Sequence, residues 1–231
     1  MSYNTFEKAL SKPRIERFLT ACNGDKRKAL RLYRLNIRLS QSFYSIIGLF
    51  EISLRNAIDS HYKLVLSDPE WLLNSTKSSG MFSNPVFARG GFETRKKIKN
   101  AKRDLLKPYT HDRLVAALSF GFWVKLFDRL QFGVGGKNLH KIFVSRPRGT
   151  KQKTLYKSLC KLRNFRNRVA HYEPIIFNNL HQVDLTYAED HYNLLISMTD
   201  WLGFKPSELY RRLNKVKRIY RKIKRVKMPC V

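Results

Sequence analysis

The stretch "DKRKALRLYRLNIRLSQSFYSIIGLFEISLRNAIDSHYKLVLS", residues 25–67, decides the fold of this chain. Its apolar residues recur at helical spacing: Leu30, Tyr33, Leu35, Ile37, Phe43, Ile46, Ile47, Phe50, Leu54 and Ile58. The spacing predicts one long helical region that Asp25 caps and the following Asp-Pro pair ends. At this length we expect the helix to bend, or to split near Ser40 or Gly48.

Helical patterns also fill most of the remaining chain, and no stretch alternates in the way that a half-buried strand does. The predicted helices cover residues 12–22, 92–107, 111–130, 151–172, 184–202 and 206–227. Gly and Pro are scarce, at 11 and 8 residues, which favours helices over a barrel of tight turns. The sequence therefore predicts an all-α fold of six to eight helices, with residues 1–204 as one domain and 205–231 as a basic C-terminal helix or tail.

The charge of the chain predicts a polyanionic partner. Forty-six Lys and Arg stand against 17 Asp and Glu, a formal net charge of +29. Between Arg129 and Tyr172 there are twelve Lys or Arg and no acidic residue, whereas a merely solvated helix face usually mixes both signs. Nucleic acid is the leading partner class and an acidic membrane surface the second.

Several other classes of protein are disfavoured. The sequence contains no run of about eighteen apolar residues, so we predict no membrane span. Its N-terminus lacks the pattern of a signal peptide. Cys22, Cys160 and Cys230 are far apart and odd in number, which argues against a disulfide framework or a structural zinc site. We therefore expect a cytoplasmic protein without a cofactor.

The stretch "RNFRNRVAHYEP", residues 163–174, is the candidate site. On a helix, Arg163, Asn167 and His171 are four residues apart and stack along one face, with Arg166 beside them. A cation, an amide and an imidazole on one face can converge on a phosphate. RNA cleavage needs a base for the 2′-OH, an acid for the 5′-oxygen and donors for the charged phosphorane. From spacing alone, an imidazole that only caps the last carbonyls of its helix remains the main alternative.

The segment "RNRVAH", Arg166 to His171, resembles the R-x4-6-H signature, often written RNxxxH, of the HEPN superfamily of RNases. With the next residues, "RNRVAHYEPI" resembles abortive-infection proteins of the AbiD/AbiF group. Two further blocks are similar to that group: "GDKRKALRLYRLNIRLSQSFYSIIGLFEISLRNAI" at residues 24–58 and "LSFGFWVKLF" at residues 118–127. The resemblance runs from about Lys12 to Leu202, and three blocks in order make it specific.

The resemblance implies a HEPN-like helical bundle and a metal-independent endoribonuclease toxin of bacterial phage defence. Some such proteins are restrained by a small antitoxin RNA. Carried onto this chain, it implies Arg166 and His171 as the catalytic pair, with Asn167 as the polar residue between them. HEPN sites commonly form between two copies of the motif, so it also implies a homodimer.

Two further sets of residues complete the predicted site. Lys157, Lys161, Arg163 and Arg168 are predicted to bind RNA phosphates. Arg55, Asn56 and His61 follow the same loose R-x4-6-H order and form a possible second half-site. For Arg55 we rank a structural ion-pair ladder with Glu51 and Asp59 first.

The remaining notable residues receive structural interpretations. We expect His111, His140, His181 and His191 to serve surface or capping roles, and Trp71, Trp123 and Trp201 to lie in the core. Two other functions stay open: a non-catalytic protein that binds a structured small RNA, and a protein that binds a membrane surface or duplex DNA.

Overall fold

The computed structural model describes residues 3–85, 88–106 and 108–226. Residues 227–231, which include Cys230 and the end of the predicted basic tail, lie outside the described residues. In the described part the chain forms twelve α-helices and no strand, apart from a single antiparallel bridge between Phe177 and Val183. The all-α prediction is confirmed. The helices are α1 Tyr3–Leu10, α2 Lys12–Ala21, α3 Lys26–Leu66, α4 Trp71–Asn74, α5 Ala88–Arg103, α6 His111–Ala117, α7 Phe120–Lys125, α8 Arg129–Val134, α9 Gln152–Ala170, α10 Thr186–Trp201, α11 Pro206–Leu209 and α12 Val216–Lys224.

Helix α3 is the longest element and runs without interruption, so of the two expected alternatives the split near Ser40 or Gly48 is wrong. Its start follows the prediction: Asp25 Oδ1 accepts hydrogen bonds from the backbone N–H groups of Arg27 and Lys28, at 3.0 and 2.9 Å. These bonds satisfy two donors that a helix start leaves without partners, and they also lower the pKa of Asp25.

Two predicted helices are each divided into shorter ones. Residues 111–130, predicted as one helix, are split among α6, α7 and the start of α8, because Ser119 and Asp128 cap new helices within the apolar run. Their side-chain oxygens accept from the backbone N–H groups of Phe122 and Leu130. Residues 206–227 are divided as well: turns separate α11 from α12, and Arg212 there has a φ of 68°.

The chain forms two compact units, and helices α3, α9, α10 and α11 each contribute residues to both. The first unit contains residues 1–48, 164–195 and 207–231, within the described ranges. Its core includes the edge-to-face ring pairs Phe18–Tyr33, at 5.1 Å between centroids, and Phe43–Phe165, at 4.8 Å. This unit carries the end of α9 and therefore Arg166 to His171.

The second unit contains residues 49–163 and 196–206. Trp71 and Trp123 are completely buried in it, which confirms two of the predicted core tryptophans. Tyr62 packs on Trp71 with 4.6 Å between ring centroids. Within the described residues of the chain, no helix has the length and apolar character needed to cross a membrane.

Candidate active site

His171 directly follows Ala170, the last residue of α9. The helix closes in a Schellman motif: the N–H of Tyr172 donates to the carbonyl of Val169 at 3.1 Å, and the N–H of Glu173 donates to that of Arg168 at 3.0 Å. Tyr172 takes the left-handed conformation that this motif requires, with a φ of 51°. His171 is therefore the cap residue, and its side chain is exposed at the end of the helix.

Arg168 holds this turn closed. Its Nε pairs with Glu173 Oε2 at 3.1 Å, and its Nη2 donates to the carbonyl of Pro174 at 3.0 Å. The guanidinium also lies over the ring of Tyr187, 4.9 Å from the ring centroid. In most Schellman motifs an apolar contact joins the residues that Arg168 and Glu173 occupy. Here an ion pair takes that place, and it links the residues on either side of His171.

Asn36, on α3, anchors the segment that follows the turn. It is completely buried, and its Oδ1 accepts a hydrogen bond from the N–H of Ile175 at 3.1 Å. Asn36 is not among the site residues predicted from the sequence. The available signal was an amide within an apolar stripe, between Leu35 and Ile37. A buried amide that bonds to distant backbone fixes the path of that backbone.

Asn167 and His171 lie one turn apart, and the N–H of His171 donates to the carbonyl of Asn167 at 3.0 Å. Both side chains are exposed, so this part of the predicted face is open to a ligand. Arg166 is half-buried and has interactions of its own. At about 100° per residue, Arg166 leaves the helix about 140° around the axis from His171. Within one chain, Asn167 and His171 therefore share a face, and Arg166 points elsewhere.

The other predicted phosphate-binding residues are distributed along α9. Lys157 and Lys161 are exposed and Arg163 is half-buried, and all three belong to the second unit. Arg168 belongs to the first unit, where its guanidinium is occupied by Glu173, Pro174 and Tyr187.

A protein-family model described as Abi-like protein matches residues 2–177, about three quarters of the chain. The chain belongs to the Abi-like protein family. The match begins before α2 and ends just past Ile175, so it includes the turn that carries His171. No curated protein and no solved structure matches the chain significantly. Membership of an abortive-infection family is thus confirmed, and the HEPN assignment stays a prediction.

The possible second half-site of this Abi-like protein lies on α3, in the second unit. The imidazole Nε2 of His61 lies 2.8 Å from Asn138 Oδ1, so its ring is held by an amide of the same unit. Asn56 is exposed, and Arg55 is half-buried with an Nε that has no hydrogen-bond partner in the described structure. The structure thus gives His61 a partner other than the residues of the R-x4-6-H pattern.

Asp59 does not serve as the predicted ion-pair partner of Arg55, because it binds other residues. The pair of Arg55 with Glu51 stays a prediction. Asp59 accepts from Trp71 Nε1 at 2.8 Å, pairs with Lys63 Nζ at 2.8 Å, and lies 2.6 Å from His111 Nε2. Burial raises the pKa of the Asp59 carboxyl, but the bonds from His111, Lys63 and Trp71 outweigh it, and the net shift is downward.

His111 is a second correction to the sequence analysis, which expected a surface or capping role. The residue is buried, and the polar cluster of Asp59, Lys63, Trp71 and His111 ties α3, α4 and α6 of the Abi-like chain together. Among the described residues, no group of three or more His, Cys, Asp or Glu side chains is placed to hold a metal ion.

Proposed function

We propose that this Abi-like protein is an endoribonuclease in which His171 transfers the proton during cleavage. The observation that carries the proposal is the placement of His171. An exposed imidazole stands at the cap of α9, with Asn167 one turn before it and a backbone that Arg168 and Asn36 fix on the far side. A rigid support with an accessible titratable group is what general acid–base catalysis requires.

The reaction we propose uses the nucleophile that RNA carries. The 2′-OH attacks the adjacent phosphorus as a base takes its proton, and the 5′-oxygen leaves as an acid protonates it. The products are a 2′,3′-cyclic phosphate, or the 3′-phosphate from its opening, and a 5′-OH. Asn167 donates to a phosphate oxygen, and Arg166 stabilises the charge of the phosphorane.

A homodimeric site of HEPN type completes the proposal. One imidazole cannot serve as base and acid in the same step, so a second His171 across a two-fold axis supplies the other role. The geometry of one chain supports a composite site, because Arg166 and His171 leave α9 in directions about 140° apart. An arginine from the partner copy can then reach a phosphate that His171 contacts.

The biological role we propose is that of an abortive-infection toxin in bacterial phage defence. Membership of the Abi-like family supports this role. Restraint by a small antitoxin RNA agrees with the net charge of +29. The protein would then bind RNA both as its substrate and as its inhibitor.

Product chemistry tests the reaction type. Purified protein is incubated with a single-stranded RNA in the presence of a chelator, and the ends of the fragments are labelled. Fragments with a 5′-OH and a 2′,3′-cyclic phosphate or 3′-phosphate support the proposal, and an RNA with 2′-O-methyl groups throughout should resist cleavage. Fragments with 5′-phosphates would contradict it.

A second function, non-catalytic binding of a structured small RNA, is favoured by the twelve cations and no acids between Arg129 and Tyr172. It predicts salt-dependent binding without cleavage under any condition. The same assay separates the two functions.

A further inference from the structure

A positively charged groove lies between α3 and α12, within the first unit. Two adjoining cavities of about 530 and 390 Å³ form it, and both are lined by Arg38 and Lys222. We call it the α3–α12 groove. Its cationic lining residues are Arg31, Arg34, Arg38, Arg212, Lys215, Arg218, Lys222 and Arg225.

The cations form a row on each wall. Arg31, Arg34 and Arg38 follow one another at intervals of three and four residues on α3, so they lie along one side of that helix over about 10 Å. Arg218, Lys222 and Arg225 repeat the pattern on and just after α12. Arg31 lines the same cavity as Arg225, and Arg218 lines the cavity at the other end, so the rows run antiparallel.

The walls of the groove are fixed by the core and by hydrogen bonds. Val216, Ile219 and Ile223 bury the apolar side of α12. Ser42 Oγ accepts from the N–H of Lys215 at 2.9 Å and donates to the carbonyl of Leu213 at 3.3 Å, which holds the turn before α12 against α3. Because both walls are held in place, the backbone positions that carry the cations are set before any ligand binds.

None of the eight cations is neutralised by a carboxylate of the described chain, and no acidic residue lines either cavity. Other cations of the same unit do have acidic partners: Lys28 pairs with Asp25 at 3.7 Å and Lys224 with Glu189 at 3.4 Å. Seven of the eight groove side chains are exposed, and Lys222 is half-buried. Two facing rows of uncompensated cations are suited to a linear polyanion that passes between them.

We propose that the α3–α12 groove binds the phosphate backbone of single-stranded RNA, as a site separate from His171. A charged groove that follows one strand is one part of the usual means of binding single-stranded nucleic acid, and the exposed side chain of Leu213 offers an apolar contact at the groove. The choice of RNA rests on the proposed function. Asn36, which anchors the His171 segment, leaves α3 about 200° around the axis from Arg34 and Arg38. The groove therefore captures RNA on one side of α3, and the His171 turn lies on another.

Binding of an uncleavable strand tests the groove without requiring catalysis. The probe is a fluorescent single-stranded 2′-O-methyl RNA, and its anisotropy is measured over a range of salt concentrations. The groove variant is Arg34→Gln/Arg38→Gln/Lys222→Gln. The matched control is Arg14→Gln/Arg27→Gln/Lys12→Gln, which removes the same charges from exposed positions of the same unit outside the groove. Circular dichroism confirms that both variants are folded.

The groove variant should bind the probe at least about tenfold more weakly at physiological salt. Its slope of log affinity against log salt should be shallower by about 2, since each lost phosphate contact contributes about 0.7 for a single strand. The control should retain most of the affinity of the parent protein.

Three results would overturn the inference: an equal loss in both triple variants, equal competition by duplex RNA, or a groove-dependent binding of anionic phospholipid vesicles that exceeds that of the probe. Failure of the proposed function is a separate result. If the parent protein cleaves no RNA while only the groove variant shows weakened binding of the probe, the endoribonuclease proposal is wrong and the proposed binding groove is supported.

Discussion

Arg168 and Glu173 pair across the end of α9, Nε to Oε2 at 3.1 Å, and close the turn on which His171 stands. The pair is half-exposed, so its Coulombic contribution to stability is small. Its consequence is positional, because it links the residues on both sides of the imidazole.

Replacing the two partners should separate stability from position. Glu173→Gln removes only the exposed ion pair and should lower the free energy of unfolding by less than about 1 kcal/mol. Arg168→Ala also removes the bond to the Pro174 carbonyl and the contact with Tyr187, and should cost about 1–2 kcal/mol. Urea unfolding measures both values. Equal losses of unfolding free energy in the two variants would show that the hydrogen bond to Pro174 and the contact with the Tyr187 ring contribute nothing to stability.

Replacing Asn36 should lower the free energy of unfolding, although its side chain is buried and cannot contact a ligand. Asn36→Leu leaves the N–H of Ile175 buried without a partner, and should destabilise the protein by about 1–3 kcal/mol. Asn56→Leu, on the exposed face of the same helix, is the control and should change stability by less than about 0.5 kcal/mol. Similar values for the two variants would rule out an anchoring role for Asn36.

The polar cluster around Asp59 predicts a pH dependence with a defined sign. The pKa of Asp59 is lowered in the folded protein, so its contribution is complete above the ordinary aspartate pKa of about 3.9 and is lost as pH falls through the folded-state value. The stability difference between the parent and Asp59→Asn should therefore shrink as pH falls from about 5 through the lowered folded-state pKa of Asp59. Urea midpoints across that range measure it, and a constant difference would contradict the assigned pKa direction.

Two glycines should respond to alanine with opposite signs. A Cβ at Gly135 would overlap the hydroxyl of Tyr62, whose ring is buried, so Gly135→Ala should destabilise the protein by about 1–3 kcal/mol. A Cβ at Gly48, inside α3, meets nothing within 4 Å. Gly48→Ala should stabilise the helix by about 0.5–1 kcal/mol. Thermal unfolding of both variants measures the effect. A change of unfolding temperature in the same direction for both would contradict the prediction.

The fold class and the extent of α9 could be predicted from the sequence, and some breaks between helices could not. Apolar periodicity predicted a helix over residues 151–172, and α9 spans Gln152–Ala170. The apolar run of residues 111–130 gave no sign of its breaks, because they depend on whether Ser119 and Asp128 cap new helices or stay within a longer one. The hydrogen bonds that the side chains of Ser119 and Asp128 accept from nearby backbone N–H groups determine that new helices begin there.

The candidate site shows the same division. The exposed face with Asn167 and His171 follows from helical spacing. The support beneath it does not, because Asn36 and Ile175 are 139 residues apart and meet only in the folded chain. The sequence also assigned Arg168 to RNA, whereas its guanidinium is occupied by Glu173, Pro174 and Tyr187. Charge alone does not reveal whether an arginine has internal partners.

The rate of RNA cleavage by His171→Asn tests the central claim most directly. Asparagine keeps a polar side chain at the helix cap and tolerates the turn, but it cannot transfer a proton. His181→Asn is the matched control, at an exposed histidine away from α9. The account predicts cleavage at least about a hundredfold slower for His171→Asn and unchanged for His181→Asn, with both variants folded. Cleavage by His171→Asn at the parent rate would contradict it.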